Sequence, residues 1–564
     1  MKKFFIIALA ALGLAACNNN LDDVTNGGLT GEAQTSYIAI NLNAADNTRA
    51  DDRVYQDGLE AERAVKAAYF FFFDDAGDAF PVTAVTGNPA TAPGEATGVN
   101  WISANLNNIG SETPNVSDIK DAVLVLSTYE GTFPSQIVAV INWVPTTGTA
   151  YNLDALYAAT NIQGADNGFV MSNAVYADTA NSKEIVGTPL TESDIHKSPA
   201  DALANPITIH VERIAAKVTV TVKDTVTDNR FPITKKNGND SSLVTLPFGQ
   251  NNADTEIYVL VEGWELYNDF TQSKLLKDID LSWGDTLGFT WNDKDYYRCY
   301  WANSLDFNSI GVNTFPTDFT LDLGKTSNVN NGTYADNTYT YVGENTLYDA
   351  TAKSTANCTK VIIKAKLQKK TGDTYEDLPL ARWYTTYYAG LEDLLTAVAS
   401  TIKYQYVWLD SANSKYVYIT PDDLTVKKEE NKVIFQLSTT AAGKNWYVVS
   451  GNEYTAKTIA DMNASLATIE KAIYYDDANT LFSVDIAHLG NGKGAKAGDY
   501  GVVRNHIYNV VINSFGGFGS PVYVPGNGNL EYPDDPTIEA KDYVSAQVRV
   551  LSWRLVNQEV DVQP

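Results

Sequence analysis

Cysteine, histidine and basic residues are scarce in this sequence, and each shortage removes a class of function. Three cysteines and four histidines in 564 residues are too few for a zinc framework. Cys299 and Cys358, the two thiols outside the N-terminal leader, stand too far apart for a paired-cysteine metal motif. They can form one disulfide in an oxidising compartment or remain two buried free thiols. His196, His210, His488 and His506 contain no close i, i+4 pair, so they read as structural residues, and no metal or other cofactor is expected. Lys and Arg number 41 against 68 Asp and Glu, a net charge of -27. A polyanion such as nucleic acid would be repelled over most of such a surface. Past the first residues, no run reaches the roughly 20 apolar residues that a membrane-spanning helix needs.

What is present is apolar and aromatic. With 44% hydrophobic and 11% aromatic residues, the chain can bury at least two substantial cores. Lys2 and Lys3 precede an apolar stretch from Phe4 to Leu14, and Leu14-Ala15-Ala16-Cys17 carries a small-residue cleavage pattern ending in cysteine. The chain is therefore expected to be exported; the pattern resembles the lipobox of bacterial lipoproteins, which implies lipidation at Cys17, the alternative being an ordinary signal peptide with a chance cysteine. Short apolar or alternating runs, among them Ala67 to Phe73, Ala122 to Leu126, Ile137 to Asn142, Ile207 to Val222, Glu256 to Glu262, Val361 to Leu367 and Tyr508 to Ile512, are separated by Gly, Asn, Asp and Pro clusters. That spacing predicts a mostly β fold of sandwiches rather than a parallel α/β sheet. Helical period appears twice, in Leu391, Leu394, Leu395, Val398 and Ile402 and in Ile459, Met462, Leu466, Ile469 and Ile473, predicting short amphipathic helices packed against the second sandwich. A turn-rich stretch from Asp224 to Asp240 suggests a domain boundary near residue 225.

Candidate chemical sites fail on their spacing. Gly490 to Gly494 (GNGKG) has a lysine but no Ser or Thr after it, so it reads as a surface turn rather than a phosphate loop. Asp74-Asp75-Ala76-Gly77-Asp78 offers oxygens for Ca²⁺ but lacks the spacing of a calcium loop and reads as a hairpin turn. Carboxylates are so numerous that no pair of them singles out a glycosidase. No residue supports an enzyme.

Both ends of the chain look like strands. Tyr543 to Pro564 (YVSAQVRVLSWRLVNQEVDVQP) alternates apolar with polar residues and has no breaker before its last residue. At about 3.3 Å per residue it could extend about 70 Å. Burying about six apolar side chains at roughly 1.5–3 kcal/mol each would gain of order 10–18 kcal/mol before ordering costs. Such a strand can complete its own domain or add to a sheet edge of another molecule, where main-chain bonds give affinity and alternate side chains fill pockets. The Pro- and Gly-rich stretch from Pro521 to Pro536 would serve as its hinge. Near the other end, Ile38, Ile40 and Leu42 alternate with Tyr37, Ala39 and Asn41, so one face of that strand can plug a core.

Taken together, Cys17, the strand Tyr37 to Leu42 with Asn47-Thr48-Arg49-Ala50 after it, His210-Val211-Glu212-Arg213-Ile214-Ala215-Ala216-Lys217-Val218, Gly501-Val502-Val503-Arg504-Asn505-His506-Ile507-Tyr508, and the terminal Val548, Val550, Trp553 and Leu555 resemble the fimbrillins of Bacteroidales. The resemblance extends over nearly the whole chain and is nearest to the Mfa-type stalk pilins of minor fimbriae. It implies two transthyretin-like β-sandwich domains with short helical insertions, and the sequence would divide as signal peptide and lipobox (1–17), propeptide with a removable first strand (18–49), N-terminal domain (50–225), C-terminal domain (226–540) and donor strand (541–564). It further implies an outer-membrane lipoprotein precursor, tethered only through its lipid and cut between Arg49 and Ala50 by an arginine-specific surface protease, with Arg53 and Arg63 as competing sites. Loss of the first strand would open a groove that the donor strand of another subunit fills, through Val548, Val550, Trp553 and Leu555. The partners implied are identical subunits in a homopolymer, tip and anchor subunits of the same fimbria, and host or bacterial surface ligands, in adhesion and biofilm formation. Two other functions compete with this one: a surface or tip adhesin whose exposed aromatics bind glycans or host proteins, and a glycan-capturing or glycan-hydrolysing lipoprotein.

Overall fold

The computed structural model describes residues 33–43, 544–552 and 554–559 and, apart from 85–98, 109–119 and several shorter stretches, 56–280, 301–349, 354–488 and 498–522. The fold is mostly β, and three hydrophobic cores follow one another along the chain.

The sheet at the first core comprises β1 (Ala33–Asn43), β2 (Ala68–Phe73), β3 (Lys120–Tyr129), β4 (Gln136–Ile141), β5 (Met171–Asn173) and β6 (Ile207–Arg213). Their spatial order is β3-β1-β6-β5-β4-β2, with the short strands Thr83–Ala84 and Trp101–Ser103 at the two edges. β2 reads AYFFFF, and Phe70 to Phe73 are all fully buried, which is why this run is continuous rather than alternating. At the end of β4 the chain turns through Asn142, at φ +58°, a conformation that asparagine tolerates. Its side chain accepts from the Lys66 N–H at 2.8 Å and donates to the carbonyls of Ala64 and Phe169, each at 2.8 Å, stitching the approach to β2 onto the sheet. The expected hairpin turn at Asp74 to Asp78 is present: Asp74 Oδ1 accepts from the N–H groups of Ala76 and Asp78, each at 2.9 Å.

The chain changes core between Ala215 and Ala216, inside β7 (Ala215–Val222); the turn-rich stretch 224–240 lies on the second-core side, with Phe231 and Ile233 buried there. Two sheets enclose this second core. One has β7 at its centre with β9 (Tyr339–Gly343) and β16 (His506–Phe515); the other has β8 (Ala253–Tyr267), β10 (Lys360–Thr371) and β15 (Asn479–Asp485) in that order. All eight residues of β7 are buried, and its polar members are satisfied, Thr219 by the Thr338 carbonyl at 2.7 Å and Thr221 by Asn509 at 2.8 Å.

Between β10 and β15 lies a third core. Helices α1 (Gly390–Ile402) and α2 (Ile459–Leu466) form at the two stretches with helical period, but α2 stops short of Ile469 and Ile473, and Ile473 lies on the short strand Ala472–Tyr474; α2 opens on a capping box between Thr458 and Asp461. The expectation that they pack against the second sandwich needs correction. Leu394, Val398, Ile402, Met462 and Leu466 bury themselves with Trp383, Val433, Phe435 and Trp446 in a core that residues 381–474 supply alone. Periodicity marks a buried stripe but does not say which sheet covers it. This body includes a four-stranded sheet of β11 (Tyr406–Asp410), β12 (Lys415–Tyr418), β13 (Trp446–Ser450) and β14 (Glu453–Lys457), ordered β12-β11-β13-β14.

Candidate functional site

The first strand and its surroundings hold the residues that bear on function. β1 runs antiparallel to β3, from Ala33 opposite Tyr129 to Leu42 opposite Lys120, and parallel to β6, from Ile40 opposite Ile207 to Asn43 opposite His210. It is thus an interior strand of the sheet and not an edge, and withdrawing it would leave two rows of main-chain groups facing each other across a gap. Cys17, Arg49, Ala50 and Arg53 lie outside the described residues.

The segment that follows is clamped to the second core. Gln56 is buried; its amide donates to the Val329 carbonyl and accepts from the Tyr334 hydroxyl. Glu62 is 1% exposed. Its carboxylate takes Lys217 Nζ at 2.7 Å, the Tyr341 hydroxyl and the Leu59 N–H at 2.8 Å, while its carbonyl accepts from Arg213 Nε at 2.7 Å. The Lys217 ammonium also lies 3.4 Å from the centre of the Tyr334 ring and 4.2 Å from that of Tyr339. Burial pulls the Lys217 pKa down to about 8, against the opposing pull of Glu62. Of the three arginines considered for cleavage, Arg63 is the one within the described residues, in a 3-10 turn from Glu60 to Arg63. Glu62 on one side and the Ala64 carbonyl, held by Asn142 at 2.8 Å, on the other pin its bond in place.

The two internal sequence motifs meet at the change of core. Val218 of the first is in parallel register with Tyr508 of the second through β7 and β16. The Asn505 N–H donates to the Ala215 carbonyl at 2.7 Å, and Arg213 Nη1 donates to Asn505 Oδ1 at 3.2 Å. Arg504 is fully buried. It donates from Nε and Nη2 to Glu344 at 3.1 and 3.0 Å, and to the carbonyls of Leu275 and Lys274 at 3.3 and 2.8 Å. Lys277 and Glu212 form a second buried pair at 2.9 Å; burial raises the Glu212 pKa and Lys277 opposes it. Gly501 opens its motif at φ +132°, where an added Cβ would come within 2.7 Å of Trp301. His488 and His506 come together with ring centres 5.3 Å apart. The Tyr508 hydroxyl accepts from the Val503 N–H at 2.8 Å and lies 2.9 Å from His488 Nδ1. Gln56, Glu62, Lys277 and Glu344 carry no sequence signal, because a lone charged or amide residue in a polar stretch looks the same whether solvated or buried.

The tail is two strands, not the single one expected: β17 (Val544–Ser552) and β18 (Arg554–Glu559). They pair with each other, Val550 opposite Leu555, and both lie against β16, Ile512 opposite Ala546 and Ile507 opposite Leu555. Val548 and Val550 are on β17 and Leu555 is on β18, while Trp553 lies outside the described residues. Cys358 is a free, fully buried thiol whose pKa burial pushes up to about 12; Cys299 lies outside the described residues, as do Gly490 to Gly494.

One carboxylate beside the first core titrates near neutrality. Glu184 accepts from the Tyr157 hydroxyl at 3.1 Å, and burial raises its pKa to about 7. A carboxyl whose folded pKa lies above its unfolded value gives stability that is complete below the unfolded pKa and lost as pH rises through the folded one. Glu184→Gln is therefore expected to match the parent in stability near pH 4 and to exceed it by about 1 kcal/mol at pH 8, the figure being reduced for partial solvent exposure. Paired urea titrations at the two pH values check this; equal midpoints at both would refute it.

Residues 473–559 match the family described as the major fimbrial subunit protein type IV, fimbrillin, C-terminal. The C-terminal part of this chain is fimbrillin-like. No curated protein matches the sequence. Among solved structures, a putative cell adhesion protein from Parabacteroides distasonis is 12% identical, with 91% of this chain and 96% of that one covered and a TM-score of 0.38. A fimbrilin from Porphyromonas gingivalis is 12% identical over 92% and 99%, with a TM-score of 0.35. The tip fimbrial protein of the same organism is 11% identical over 91% and 99%, at 0.28. The fimbrillin-like region starts where the chain leaves the third core and ends with β18 at Glu559. It therefore contains β15, β16, the Gly501 to Tyr508 motif and both tail strands.

Proposed function

We propose that this chain is a structural stalk subunit of a cell-surface fimbria, without enzymatic activity, that polymerises by strand exchange. The precursor is exported as an outer-membrane lipoprotein on Cys17. Cleavage between Arg49 and Ala50 by an arginine-specific surface protease removes β1 and the lipid together, and Val548, Val550, Trp553 and Leu555 of another subunit dock in the vacated place. The observation that carries this reading is the interior position of β1 between β3 and β6. A strand lost from there leaves a slot with main-chain groups on both sides, which an incoming strand satisfies twice over. β17, with nine residues, nearly matches the eleven of β1, and docking of Trp553 and Leu555 after it requires the pairing between β17 and β18 to open. In the isolated chain the tail lies on its own β16, so exchange moves it from one edge of a sheet to an interior slot with two partners. Identical subunits make the shaft, tip and anchor subunits end it, and each subunit has one acceptor, the slot left by β1, and one donor, the tail from 541.

The test incubates precursor lacking residues 1–17 with an arginine-specific protease, with and without Tyr543 to Pro564, and follows ladders on unboiled SDS gels. Ladders that require both cleavage at Arg49 and the tail are the expected result. Complete cleavage of the tailed protein to monomers alone would overturn the reading and make the tail a permanent part of its own domain.

A further inference from the structure

The third core exposes a face that assembly leaves unexplained. In the sheet β12-β11-β13-β14, Tyr406 and Trp446 point into the core. Residues of the other parity, Tyr418 opposite Val407 opposite Tyr447, Tyr416 opposite Leu409, and Val449 opposite Tyr454, form the outer face. Tyr416, Tyr418 and Tyr454 are 42, 53 and 47% exposed, and Tyr404, at the entry to β11, is 64% exposed. Their rings hold one another in place: Tyr416 stacks on Tyr454 at 4.2 Å and 13°, Tyr447 meets Tyr416 edge-on at 5.2 Å, and Tyr404 meets Tyr418 edge-on at 5.4 Å. Among the described residues, none hydrogen-bonds the hydroxyls of these five tyrosines, which leaves them available to a ligand.

We propose that this tyrosine face is a binding site for a neutral oligosaccharide. Three features select that ligand. Residues 381–474 contain nine basic and ten acidic side chains, a net charge of -1 in a chain of -27, so the face is matched to an uncharged partner while the rest of the molecule repels polyanions. Tyrosine offers an apolar ring for the C–H face of a sugar and a hydroxyl for its hydroxyls, with rings already ordered by their neighbours and little left to immobilise. The sheet is about 14 Å across and about 16 Å along its strands, an area of roughly 200 Å², whereas a stable protein interface takes about 800 Å² from each partner. The face is the size of a few sugar rings and too small for a protein.

The experiment uses the uncut precursor lacking residues 1–17, so its result does not depend on strand exchange. Neutral hexasaccharides of glucose, galactose and N-acetylglucosamine, with sialylated and sulfated counterparts, are titrated by calorimetry and saturation-transfer NMR. At least one neutral hexasaccharide is expected to bind, with affinity falling at least tenfold in Tyr418→Ala and lost in Tyr416→Ala/Tyr418→Ala/Tyr454→Ala. Tyr384→Ala, an exposed tyrosine outside this sheet, should bind as the parent does, and circular dichroism should be unchanged in all variants. The proposal is overturned if no neutral hexasaccharide binds, if binding survives the triple variant, or if only the charged sugars bind in a salt-sensitive way. It is equally overturned if the face instead mediates self-association, seen in sedimentation as an oligomer that the triple variant abolishes.

Discussion

Glu62→Ala is expected to lower the melting temperature of the first two cores by about 10 °C and to create a new cleavage site after Arg63. The reason is charge burial. Lys217 is fully buried, and Glu62 is the carboxylate that accepts it at 2.7 Å; two tyrosine rings beside it give partial compensation only. Removing one partner of a buried pair leaves the other charge uncompensated, which costs about 3–5 kcal/mol. At about 2–4 °C per kcal/mol for domains of this size, the shift in melting is readily measured. The same substitution frees the Leu59 N–H and the Tyr341 hydroxyl from Glu62, so the segment 56–63 loses its main tie to the second core. Proteases cut where the main chain can open locally. In the parent, arginine-specific digestion should give products that begin before Gln56; in Glu62→Ala a product beginning at Ala64 should appear. Glu62→Gln, which keeps hydrogen-bonding atoms but drops the charge, should fall between the two. An unchanged melting temperature together with an intact Arg63–Ala64 bond in Glu62→Ala would show that the clamp does not stabilise the join.

Arg504→Met should be as damaging, and its remedy is specific. Arg504 is the donor to Glu344, which is 1% exposed, and to the carbonyls of Lys274 and Leu275. Without the guanidinium, Glu344 keeps a buried charge and two carbonyls lose a donor. A loss of about 3–5 kcal/mol is expected in urea titration. Adding Glu344→Met should recover most of it, because replacing both members of a buried pair by apolar residues of similar volume is often close to neutral. Failure of the double variant to recover stability would mean that the main-chain bonds outweigh the ion pair: those from Arg504 to the Lys274 and Leu275 carbonyls and the one from the Arg504 N–H to Glu344 Oε1 at 3.2 Å, which Glu344→Met also removes. Those carbonyls belong to a stretch in which Leu275, Leu276 and Ile279 pack in the first core, while Arg504 leads into β16 of the second, so that outcome would make the main-chain bonds the tie between the two.

Much of the fold is legible in the amino-acid sequence. Ala67 to Phe73 and Ile137 to Asn142 read as strands because a continuous or alternating apolar run between turn residues has few other stable outcomes; Ile207 to Val222 reads as one run, whereas the structure divides it into Ile207–Arg213 and Ala215–Val222. The strand from Tyr37 to Leu42 is readable for the same reason. The helices after Gly390 and Thr458 are visible in their period. Other features leave no such mark. Nothing in the helical period of Leu391, Leu394 and Val398 distinguishes a helix lying on a neighbouring sandwich from one enclosed in its own core; distant partners such as Phe435 and Trp446 decide that. The tail's division between Ser552 and Arg554 is hidden because Leu, Trp and Arg suit a continuing strand as well as a junction between two.

The β class, the acidic net charge and the strand character of both chain ends follow from composition and periodicity, local properties that the chain carries before it folds. Tertiary structure alone decided that β1 is interior, that Glu62 and Lys217 share one buried site, that the Arg213 and Arg504 motifs meet where the cores change, and that four tyrosines from three different segments of residues 404–454 share one exposed face. Each of these joins residues distant in sequence, where pairing is set by sheet order and by the need to compensate every buried charge, and neither requirement leaves a periodic trace in the chain.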